Sequence, residues 1–536
     1  MATTNIANLK GDKGDIGATG LQGLPGVNAT ANDTATAGYI TTAGTSLTKT
    51  ALQNRYKQVV KIQGVGDGVA DDTAAIQAAL DSAGSTVGQP TTVEAVPGSV
   101  YKITRIRLRS NVTLDLRGAT LKGSTAAVSA MVESPALSAT GHIDDATITN
   151  GVLDMDNIGY AGVWLADATR VTVSNLRILN LKANSSTGIR VGEDTINCLI
   201  ENNTIPLVID EPYGTVPSSV GISCTSAIVD DQSGGQNATL AFVEPTKLST
   251  GHIITRNTIS GGTHGIALIG ASRIIVTDNK LTTQSHRGII LSPRVVDSII
   301  SDNSVIDFRS TGIHMAWGCE RVTISGNNLF TTKSAGEGDG IKGYYACKDI
   351  SVTGNFIQGV TNGGVRFAMA SDRFTIAGNT MRSCAAGVVI EASITGAGYY
   401  LPASNGQVAG GSIVGNSMFF AAEGIRLSQY GAHELKRIQV SANHSYDAGT
   451  HLKITEITAN RVTNVDLLSN AFLGSGTPMV AARGMLHFRQ AVGNGAGIDT
   501  KFGNPVTVAA AATDPATTMA LANDLRAKLV AMGMLS

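Results

Sequence analysis

The sequence predicts an all-β fold in which short parallel strands coil into a solenoid, with one turn per sequence period. Two phrases that alternate along the chain support this prediction. The first is an aliphatic residue, two small or polar residues, Asn, any residue and an apolar residue; the second is Gly-Ile or Gly-Val followed by two further strand residues. Because the period falls between about 20 and 50 residues, the pattern indicates a repeat architecture rather than a globular core.

The copies of both phrases can be placed along the chain. Clear copies of the first phrase begin at Ile254, Val276, Ile300, Ile324, Val352 and Ile376. Their asparagines are 22, 24, 24, 28 and 24 residues apart. Weaker copies span residues 200–205, 413–418, 440–445 and 467–472. The second phrase begins at Gly188, Gly265, Gly288, Gly312, Gly340, Gly364, Gly387 and Gly424.

Each period is expected to contain two or three short strands, separated by Gly and Asn at the corners. Alternation within each strand sends Ile, Val and Leu inward and Thr, Ser, Arg and Asp outward. The recurrent Asn tolerates left-handed backbone geometry at a corner, and stacked copies can hydrogen-bond in a ladder. Leucine-rich repeats are excluded because no helical face lies between the strands, and propellers because their blades have longer periods and hairpin turns.

Residues 11–28 predict a collagen-like triple helix, and therefore a homotrimer. Glycine occupies every third position, at Gly11, Gly14, Gly17, Gly20, Gly23 and Gly26. Only glycine fits on the shared axis of three polyproline-like strands. The alternative is a flexible glycine-rich linker, but such linkers carry no fixed period. Since Pro25 is the only proline in the run, neighbouring trimeric parts must hold this stem together.

An amphipathic helix near residues 73–83 is predicted to cover the first turn of the solenoid. Asp72 or Thr73 is suited to cap its N-terminus, and Gly84 to end it. Its apolar face is formed by Ile76, Ala79, Leu80 and Ala83. The neighbouring acids Asp71 and Asp72 could indicate a metal site or catalysis, but capping and turn roles are favoured.

Composition limits the classes of partner. The chain of 536 residues has 40 Lys plus Arg against 41 Asp plus Glu, so its charge predicts neither nucleic acid nor an anionic membrane as a partner. The first ten residues lack the basic start and apolar core of a secretory signal, and no apolar run approaches membrane-spanning length. We therefore expect no membrane insertion. The five scattered cysteines are expected to be reduced and buried.

The opening of the solenoid resembles a known family. Residues 66–79 read Gly-Asp-Gly-Val-Ala-Asp-Asp-Thr-Ala-Ala-Ile-Gln-Ala-Ala, and the phrases Val-Pro-Gly (96–98) and Asn-Val-Thr-Leu-Asp-Leu (111–116) follow. This combination is similar to the start of the pectate-lyase-like right-handed β-helix of phage tailspikes and polygalacturonases. The resemblance covers roughly residues 58–480. It implies a right-handed parallel β-helix.

A narrower resemblance concerns activity. Residues 262–265, Gly-Thr-His-Gly, resemble a Gly-x-His-Gly phrase of polygalacturonases, and Gly340-Ile-Lys342 is similar to their Arg-Ile-Lys. The Asn-Thr-Asp triplet of that family is missing from this chain. Gly-x-His-Gly also arises from the ordinary corner pattern.

The end of the chain resembles the helical tails of phage tail fibres and minor tail proteins, particularly those of actinobacterial phages. One apolar stripe there is formed by Leu521, Leu525, Leu529 and Met532, and such a stripe could pack against itself in a trimer. The predicted organisation is an N-terminal tail (1–10), a collagen-like triple helix (11–28), a connector (29–57), a parallel β-helix (58–480), a linker or β segment (481–512) and a C-terminal trimerising helix (513–536).

Candidate site residues lie near insertions, because insertions emerge on one face of a solenoid and often form its binding surface. The insertions fall within residues 203–257, 331–340 and 392–411. The predicted catalytic residues are Glu337, Asp339 and His264. The predicted glycan-binding residues are His286, Arg287, Trp317, Lys342, Tyr344, Tyr345 and Arg366. No metal site and no cofactor are predicted.

These residue types fit glycan chemistry in two ways. Glycosidases need two carboxylates about 5 to 10 Å apart, and adjacent solenoid turns are about 4.8 Å apart. A lyase would instead need a base and a cation that neutralises a uronate, which Lys342, Arg366 or the histidines could supply. The alternative for each outward charged residue is ordinary solvated surface, and for Trp164 and Trp317 it is packing.

The function predicted from these features is a homotrimeric phage tail fibre or tailspike protein that recognises a bacterial surface glycan. The expected location is the virion tail, after assembly in the host cytoplasm, with other tail or virion proteins as partners. One alternative is a tailspike depolymerase that cleaves capsule or cell-wall polysaccharide by hydrolysis or elimination. Another is a capsid-decorating fibre. A secreted pectin-type enzyme is disfavoured by the two predicted trimer elements.

Overall fold

The computed structural model divides the chain into two units, Met1–Gln58 and Val59–Ser536. In the first unit, β1 (Ile40–Thr42) pairs antiparallel with β2 (Thr45–Leu47). The structure describes residues 40–42, 45–47, 58–84, 90–124, 130–135, 141–158, 161–181, 186–208, 219–226, 249–333, 338–393, 407–431, 433–456, 461–473, 477–481 and 486–488. The predicted stem (11–28) and C-terminal helix (513–536) lie outside these residues.

The second unit is a parallel β-helix, as predicted. Its strands stack turn upon turn into three long parallel sheets, and a right-handed coil is expected because parallel crossover connections are almost always right-handed. Sheet 1, which we define as the 14-stranded sheet among the described residues, contains β7 (Ile106–Arg107), β10 (Val132–Glu133), β13 (Ala161–Leu165), β16 (Thr187–Val191), β20 (Val220–Thr225), β24 (His264–Ile269), β27 (Arg287–Leu291), β30 (Thr311–Ala316), β33 (Asp339–Tyr344), β36 (Gly363–Ala368), β39 (Ala386–Ala392), β42 (Glu423–Gln429), β45 (Thr450–Glu456) and β48 (Thr477–Ala481).

The other two sheets lie on either side of the recurrent Asn. Sheet 2 contains β3 (Gln58–Lys61), β5 (Thr91–Glu94), β8 (Val112–Asp115), β18 (Leu199–Glu201), β22 (Ile253–Thr255), β25 (Ile275–Thr277), β28 (Ile299–Ser301), β31 (Thr323–Ser325), β34 (Lys348–Thr353), β37 (Asp372–Ala377), β40 (Val408–Val414), β43 (Leu435–Ser441), β46 (Val462–Leu468) and β49 (Leu486–Phe488). Sheet 3 contains β4 (Asp67–Asp71), β6 (Val100–Ile103), β9 (Thr120–Gly123), β19 (Thr204–Pro206), β23 (Thr258–Ser260), β26 (Lys280–Thr282), β29 (Ser304–Ile306), β32 (Asn328–Phe330), β35 (Phe356–Gln358), β38 (Thr380–Arg382), β41 (Ser417–Phe419), β44 (His444–Tyr446) and β47 (Ala471–Leu473).

Two long strands, β12 (Thr147–Asp154) and β15 (Thr172–Leu179), run through both sheets 2 and 3. A short fourth sheet lies at one corner of the solenoid. It contains β11 (Ile143–Asp144), β14 (Ala168–Thr169), β17 (Thr195–Ile196) and β21 (Ser249–Thr250).

The predicted covering helix is α1 (Thr73–Gly84), and its predicted apolar face is buried. The helix begins after Asp72, whose backbone carbonyl accepts the Ile76 N–H at 3.1 Å as a first helical hydrogen bond. The two neighbouring acids hold turns. The Asp72 carboxylate accepts the Val65 N–H at 2.6 Å, and Asp71 accepts the Thr73 N–H at 2.9 Å. The structural interpretation of both acids is therefore confirmed. Among the described residues, no helix has the length and apolarity needed to cross a bilayer.

The predicted asparagine ladder runs through the turn between sheets 2 and 3. Within the described residues it comprises Asn203, Asn257, Asn279, Asn303, Asn327, Asn355, Asn379, Asn416, Asn443 and Asn470. Each side-chain amide donates to the carbonyl oxygen of the next, as from Asn303 to Asn327 at 3.0 Å. One expectation was wrong: the left-handed residue of each corner is the one before the Asn, for example Asp302 at φ 57°. The ladder Asn instead uses its side chain to replace lost strand hydrogen bonds.

The glycine of the second phrase was expected at a corner but lies within a strand of sheet 1. There the backbones of successive turns approach so closely that a Cβ on one glycine would meet the carbonyl oxygen of the next. A Cβ on Gly312 would lie 2.8 Å from the Gly340 oxygen, and one on Gly340 would lie 2.5 Å from the Gly364 oxygen. The glycine of the second phrase is therefore needed because the next turn and the inward side chains of sheet 3 leave no room for a Cβ.

The interior is a continuous column of stacked aliphatic side chains that extends from Ile62 to Val465. All five cysteines lie in the described residues; their side chains are buried and none forms a disulfide. Burial raises the pKa of the Cys198 thiol to about 11 and that of Cys384 to about 12. Cys198 and Cys384 are therefore unreactive packing groups.

Candidate functional site

One row of outward positions runs along sheet 1, one residue per turn. Register pairs in neighbouring strands define this outward row as Arg107, Glu133, Trp164, Arg190, Ser223, Ala267, Ile290, His314, Lys342, Arg366, Val389, Arg426 and Lys453. Within each strand, the residues on either side of the outward position point into the core. Neighbouring strands are about 4.8 Å apart, so the outward side chains follow one another at that spacing.

Histidines and charged side chains lie close together on this face between β24 and β39, some of them in the outward row and the others beside it. We name them the central cluster: His264, His286, Arg287, His314, Asp339, Lys342, Arg366 and Glu391. Although they point away from the core, Lys342 is 2% exposed and Asp339 is 0% exposed. Arg287 and Arg366 reach the surface in part. Buried charges are tolerated only when they are paired, so the cluster has to form its own network.

Arg366 is the centre of that network. Its Nη1 atom lies 3.6 Å from Asp339 Oδ2, and its Nη2 atom donates to Glu391 Oε2 at 2.7 Å. Asp339 also lies 3.9 Å from the Lys342 ammonium. Burial alone would lower the pKa of Arg366, but Asp339 and Glu391 raise it above its ordinary value. Three cations therefore face two carboxylates in the cluster, which leaves one positive charge in excess.

The three histidines of the cluster are neutral near pH 7. Burial, assisted by the Arg287 charge, lowers the pKa of His264 to about 3. Burial also lowers the pKa values of His286 and His314 well below the ordinary value. The rings of His264 and His286 lie 5.5 Å apart. The imidazoles thus add hydrogen-bonding groups to the cluster and no charge.

An aromatic patch borders the central cluster at the ends of β30 and β33. We define it as Trp317, Tyr344 and Tyr345. Trp317 and Tyr345 stack in parallel with ring centroids 5.4 Å apart, and Tyr344 meets Tyr345 edge-on at 4.3 Å. The Lys342 ammonium lies 4.1 Å from the Tyr344 ring centroid. Trp317 and Tyr344 remain partly exposed, whereas Tyr345 is buried, so the first two offer apolar ring surface beside the cationic groups.

The predicted catalytic residues are only partly brought together. Glu337 lies outside the described residues. His264 is followed in register by Arg287, Thr311 and Asp339 on successive turns, which places His264 and Asp339 about 14 Å apart. The two catalytic groups of a glycosidase lie about 5 to 10 Å apart, so His264 and Asp339 are not positioned to act on one bond.

The predicted glycan-binding residues, in contrast, gather on one face. Trp317, Tyr344, Arg287 and Arg366 reach the surface, while His286, Lys342 and Tyr345 lie beneath them. Glu391, which orients Arg366, was missed. The available signal was its position as the one acid in the apolar strand β39, which reads Ala-Gly-Val-Val-Ile-Glu-Ala. Among the described residues, no group of three His, Cys, Asp or Glu side chains is placed to hold a metal ion.

Comparisons with known proteins give partial matches. A family model described as periplasmic copper-binding protein (NosD) matches residues 244–384, which contain the six most regular turns. No curated protein matches the chain.

Similar solved structures come from several sources. PfbA, a surface adhesin of Streptococcus pneumoniae, is 15% identical over 79% of this chain and 93% of that chain, with a TM-score of 0.45. The tailspike of Escherichia coli bacteriophage HK620, solved with a hexasaccharide, is 12% identical over 77% of this chain and 75% of its own, with a TM-score of 0.44. An exopolygalacturonase from Thermotoga maritima is 13% identical over 78% and 93%, with a TM-score of 0.43.

A buried histidine between β21 of the fourth sheet and β22 of sheet 2 gives a prediction on pH. His252 Nδ1 accepts the Cys198 N–H at 3.0 Å, and its Nε2 lies 3.0 Å from Ser249 Oγ. Burial lowers the pKa of His252 from 6.5 to about 3. Between these two pH values the unfolded chain binds a proton that the folded chain does not, so stability falls as the pH drops.

The His252→Asn variant tests this linkage. The Asn carbonyl oxygen can take the place of Nδ1 and accept the Cys198 N–H, and Asn does not titrate. We expect the free energy of unfolding to fall by about 2 to 3 kcal/mol less between pH 7 and pH 4.5 in the variant than in the parent, measured by chemical denaturation at both pH values. An equal loss in the two proteins would contradict the assignment.

Proposed function

We propose that this chain is a trimeric phage tail fibre or tailspike protein whose central cluster and aromatic patch bind a bacterial surface glycan. The observation that carries the proposal is the meeting of the aromatic patch with the central cluster on sheet 1, where the Lys342 ammonium lies 4.1 Å from the Tyr344 ring centroid and Arg366 is the register neighbour of Lys342. A sugar ring needs an apolar face to stack on and polar groups to bond its hydroxyls. Both are present within neighbouring turns.

The charge of the cluster favours an acidic glycan. Arg287, Lys342 and Arg366 outnumber Asp339 and Glu391, and burial keeps the histidines neutral. A carboxylate on the sugar would balance the excess charge and accept bidentate hydrogen bonds from a guanidinium. Binding to an acidic polysaccharide should therefore weaken as salt is added.

The trimer and the virion location rest on the sequence. The glycine triplets of residues 11–28 and the apolar stripe of residues 513–536 both favour three-chain assembly. Three identical sites would convert a weak sugar affinity into tight attachment, which suits a tail protein that docks to other virion proteins and to the host surface. Light scattering after size exclusion tests this part: a trimer mass is expected, and a monomer would contradict it.

A depolymerase is the second candidate, and Arg366 is the observation that favours it. Its guanidinium holds Asp339 on one side and Glu391 on the other, so two carboxylates flank one cationic group. Incubation of the protein with bacterial capsule and cell-wall polysaccharides, followed by assays for new reducing ends and for unsaturated uronates, separates the two functions. Products that disappear in the Asp339→Asn variant would favour the enzyme.

The binding proposal predicts a large effect of Trp317→Ala. Loss of the exposed indole should weaken binding to the best polysaccharide of a bacterial capsule and O-antigen array by about 30-fold, since a central aromatic anchor contributes about 2 kcal/mol. Biolayer interferometry measures the change. Phe420→Ala is the matched control. Like Trp317 (φ 51°), Phe420 has a left-handed backbone (φ 56°); it is 55% exposed and follows β41 of sheet 3. Equal losses in both variants would contradict the assigned face.

A further inference from the structure

A second pairing of an aromatic ring with a cation lies on the same outward row as the central cluster. Trp164 on β13 and Arg190 on β16 are neighbours in register. The Arg190 guanidinium carbon lies 4.3 Å from the centroid of the Trp164 ring. Both side chains are partly exposed, so one edge of the pair faces the outside of sheet 1.

Arg190 has an unsatisfied hydrogen-bond donor within the described residues. In the described part of the chain its Nε atom is buried without a hydrogen bond, and its guanidinium forms no ion pair. Burial lowers its pKa, which the more distant charge of Glu193 opposes. A guanidinium carries five N–H donors, and buried donors are nearly always satisfied. Oxygen atoms of a ligand such as a sugar chain could accept from this Nε donor.

A nearby arginine of the row shows the contrast. Arg107 donates to Glu133 Oε1 at 3.2 Å, and Arg105 lies 3.4 Å from the same atom. The first turns of the row therefore satisfy their own charges. Arg190 is the first position, counted from this end, at which a cation faces outward beside a ring without a carboxylate.

The two aromatic-cationic positions lie on one straight line. From Arg190 the row continues through Ser223, Ala267 and Ile290 to His314, four turns or about 19 Å away. Ser223 and Ala267, which follow Arg190 directly in the row, have small side chains. A chain of sugars that lies parallel to the solenoid axis could contact both ends.

We infer that Trp164 and Arg190 form a second saccharide-binding position, and that one glycan chain spans it and the central cluster. This inference rests on the proposed function and extends it to the length and direction of the ligand. Since the two positions would bind one molecule, a chain long enough to reach both gains affinity through effective concentration. A shorter oligomer contacts only one position at a time.

The two tryptophans of the chain allow each position to be observed separately. Trp317→Phe leaves the emission of Trp164 alone, and Trp164→Phe leaves that of Trp317. Both variants of the full chain are titrated with the best polysaccharide of the capsule and O-antigen array and with its size-fractionated oligomers. We expect Trp317 to respond to short and long oligomers, and Trp164 to respond strongly only when the oligomer is long enough to span the row.

Arg190→Gln supplies the energetic test. It should weaken binding of the long oligomers about tenfold and leave binding of the short ones within twofold. Arg177→Gln is the control, because Arg177 is an exposed arginine on β15 outside sheet 1 and should change neither. Circular dichroism and thermal unfolding check that the variants fold as the parent does.

The outcomes separate this inference from the function on which it rests. If long oligomers bind and Trp317 responds, but Trp164 is silent and Arg190→Gln binds like the parent, the second position is overturned while the proposed function stands. If no polysaccharide changes the emission of either tryptophan, both are overturned.

Discussion

Gly340→Ala is expected to destabilise the solenoid strongly. A Cβ at this position would lie 2.4 Å from Ile357 Cγ2 and 2.5 Å from the Gly364 carbonyl oxygen. Neither neighbour can retreat easily, because Ile357 is a core residue and Gly364 is fixed by the next turn. Overpacking of this kind costs about 3 kcal/mol or more. The denaturant midpoint and the yield of soluble protein measure the loss.

Gly354→Ala is the matched control for that variant. Gly354 has φ 64°, and a Cβ there would meet nothing within 4 Å, so only the left-handed backbone opposes the substitution. The expected cost is about 1 to 2 kcal/mol. If Gly340→Ala destabilised the protein no more than Gly354→Ala does, close backbone packing would not explain why the second phrase carries glycine.

Asn327→Ala is also expected to cause a large loss of stability. The Asn327 oxygen accepts both the backbone N–H and the side-chain amide of Asn303. Its own amide donates to the Ile300 carbonyl at 2.9 Å and to the next Asn of the ladder, Asn355, at 2.9 Å. The truncation leaves several buried groups without partners, at about 1 to 3 kcal/mol each. We expect a total loss of about 3 kcal/mol or more in the free energy of unfolding.

Two further substitutions separate hydrogen bonding from side-chain volume. Asn327→Asp keeps the shape but cannot donate, so it should be nearly as destabilising as alanine at neutral pH. Asn328→Ala changes the exposed residue next to it in the chain and should cost less than about 0.5 kcal/mol. If Asn327→Ala lowered the free energy of unfolding no more than Asn328→Ala does, the ladder would not contribute to stability.

The fold could be predicted well because its periodic elements repeat in the sequence. The ten asparagines were placed from a six-residue phrase, since each one needs the same aliphatic neighbours on its two sides. The glycines of the second phrase were found but misplaced. A recurrent glycine in the sequence shows only that a side chain is not tolerated there. Both a left-handed corner and a close approach of two backbones would explain such a glycine. The contact between Gly340 and the turn above it is visible only in three dimensions.

The candidate site was less accessible to sequence reasoning. Residues such as Lys342 and Arg366 follow the same phrase on consecutive turns, which is why they could be assigned to one face. Glu391 depends on a long side chain that reaches across a turn, and no local pattern records that reach. His264 and Asp339 were grouped because both side chains can act as acids or bases. The three turns of the solenoid that separate them keep them too far apart to act together.

The claim that the outward face of sheet 1 is the glycan-binding surface is tested most directly by a structure of the protein with an oligosaccharide from the array. The account predicts a sugar ring in van der Waals contact with Trp317 or Tyr344, with hydrogen bonds from Arg287 or Arg366. An oligosaccharide bound on sheet 2 or sheet 3, with the central cluster unchanged, would contradict it.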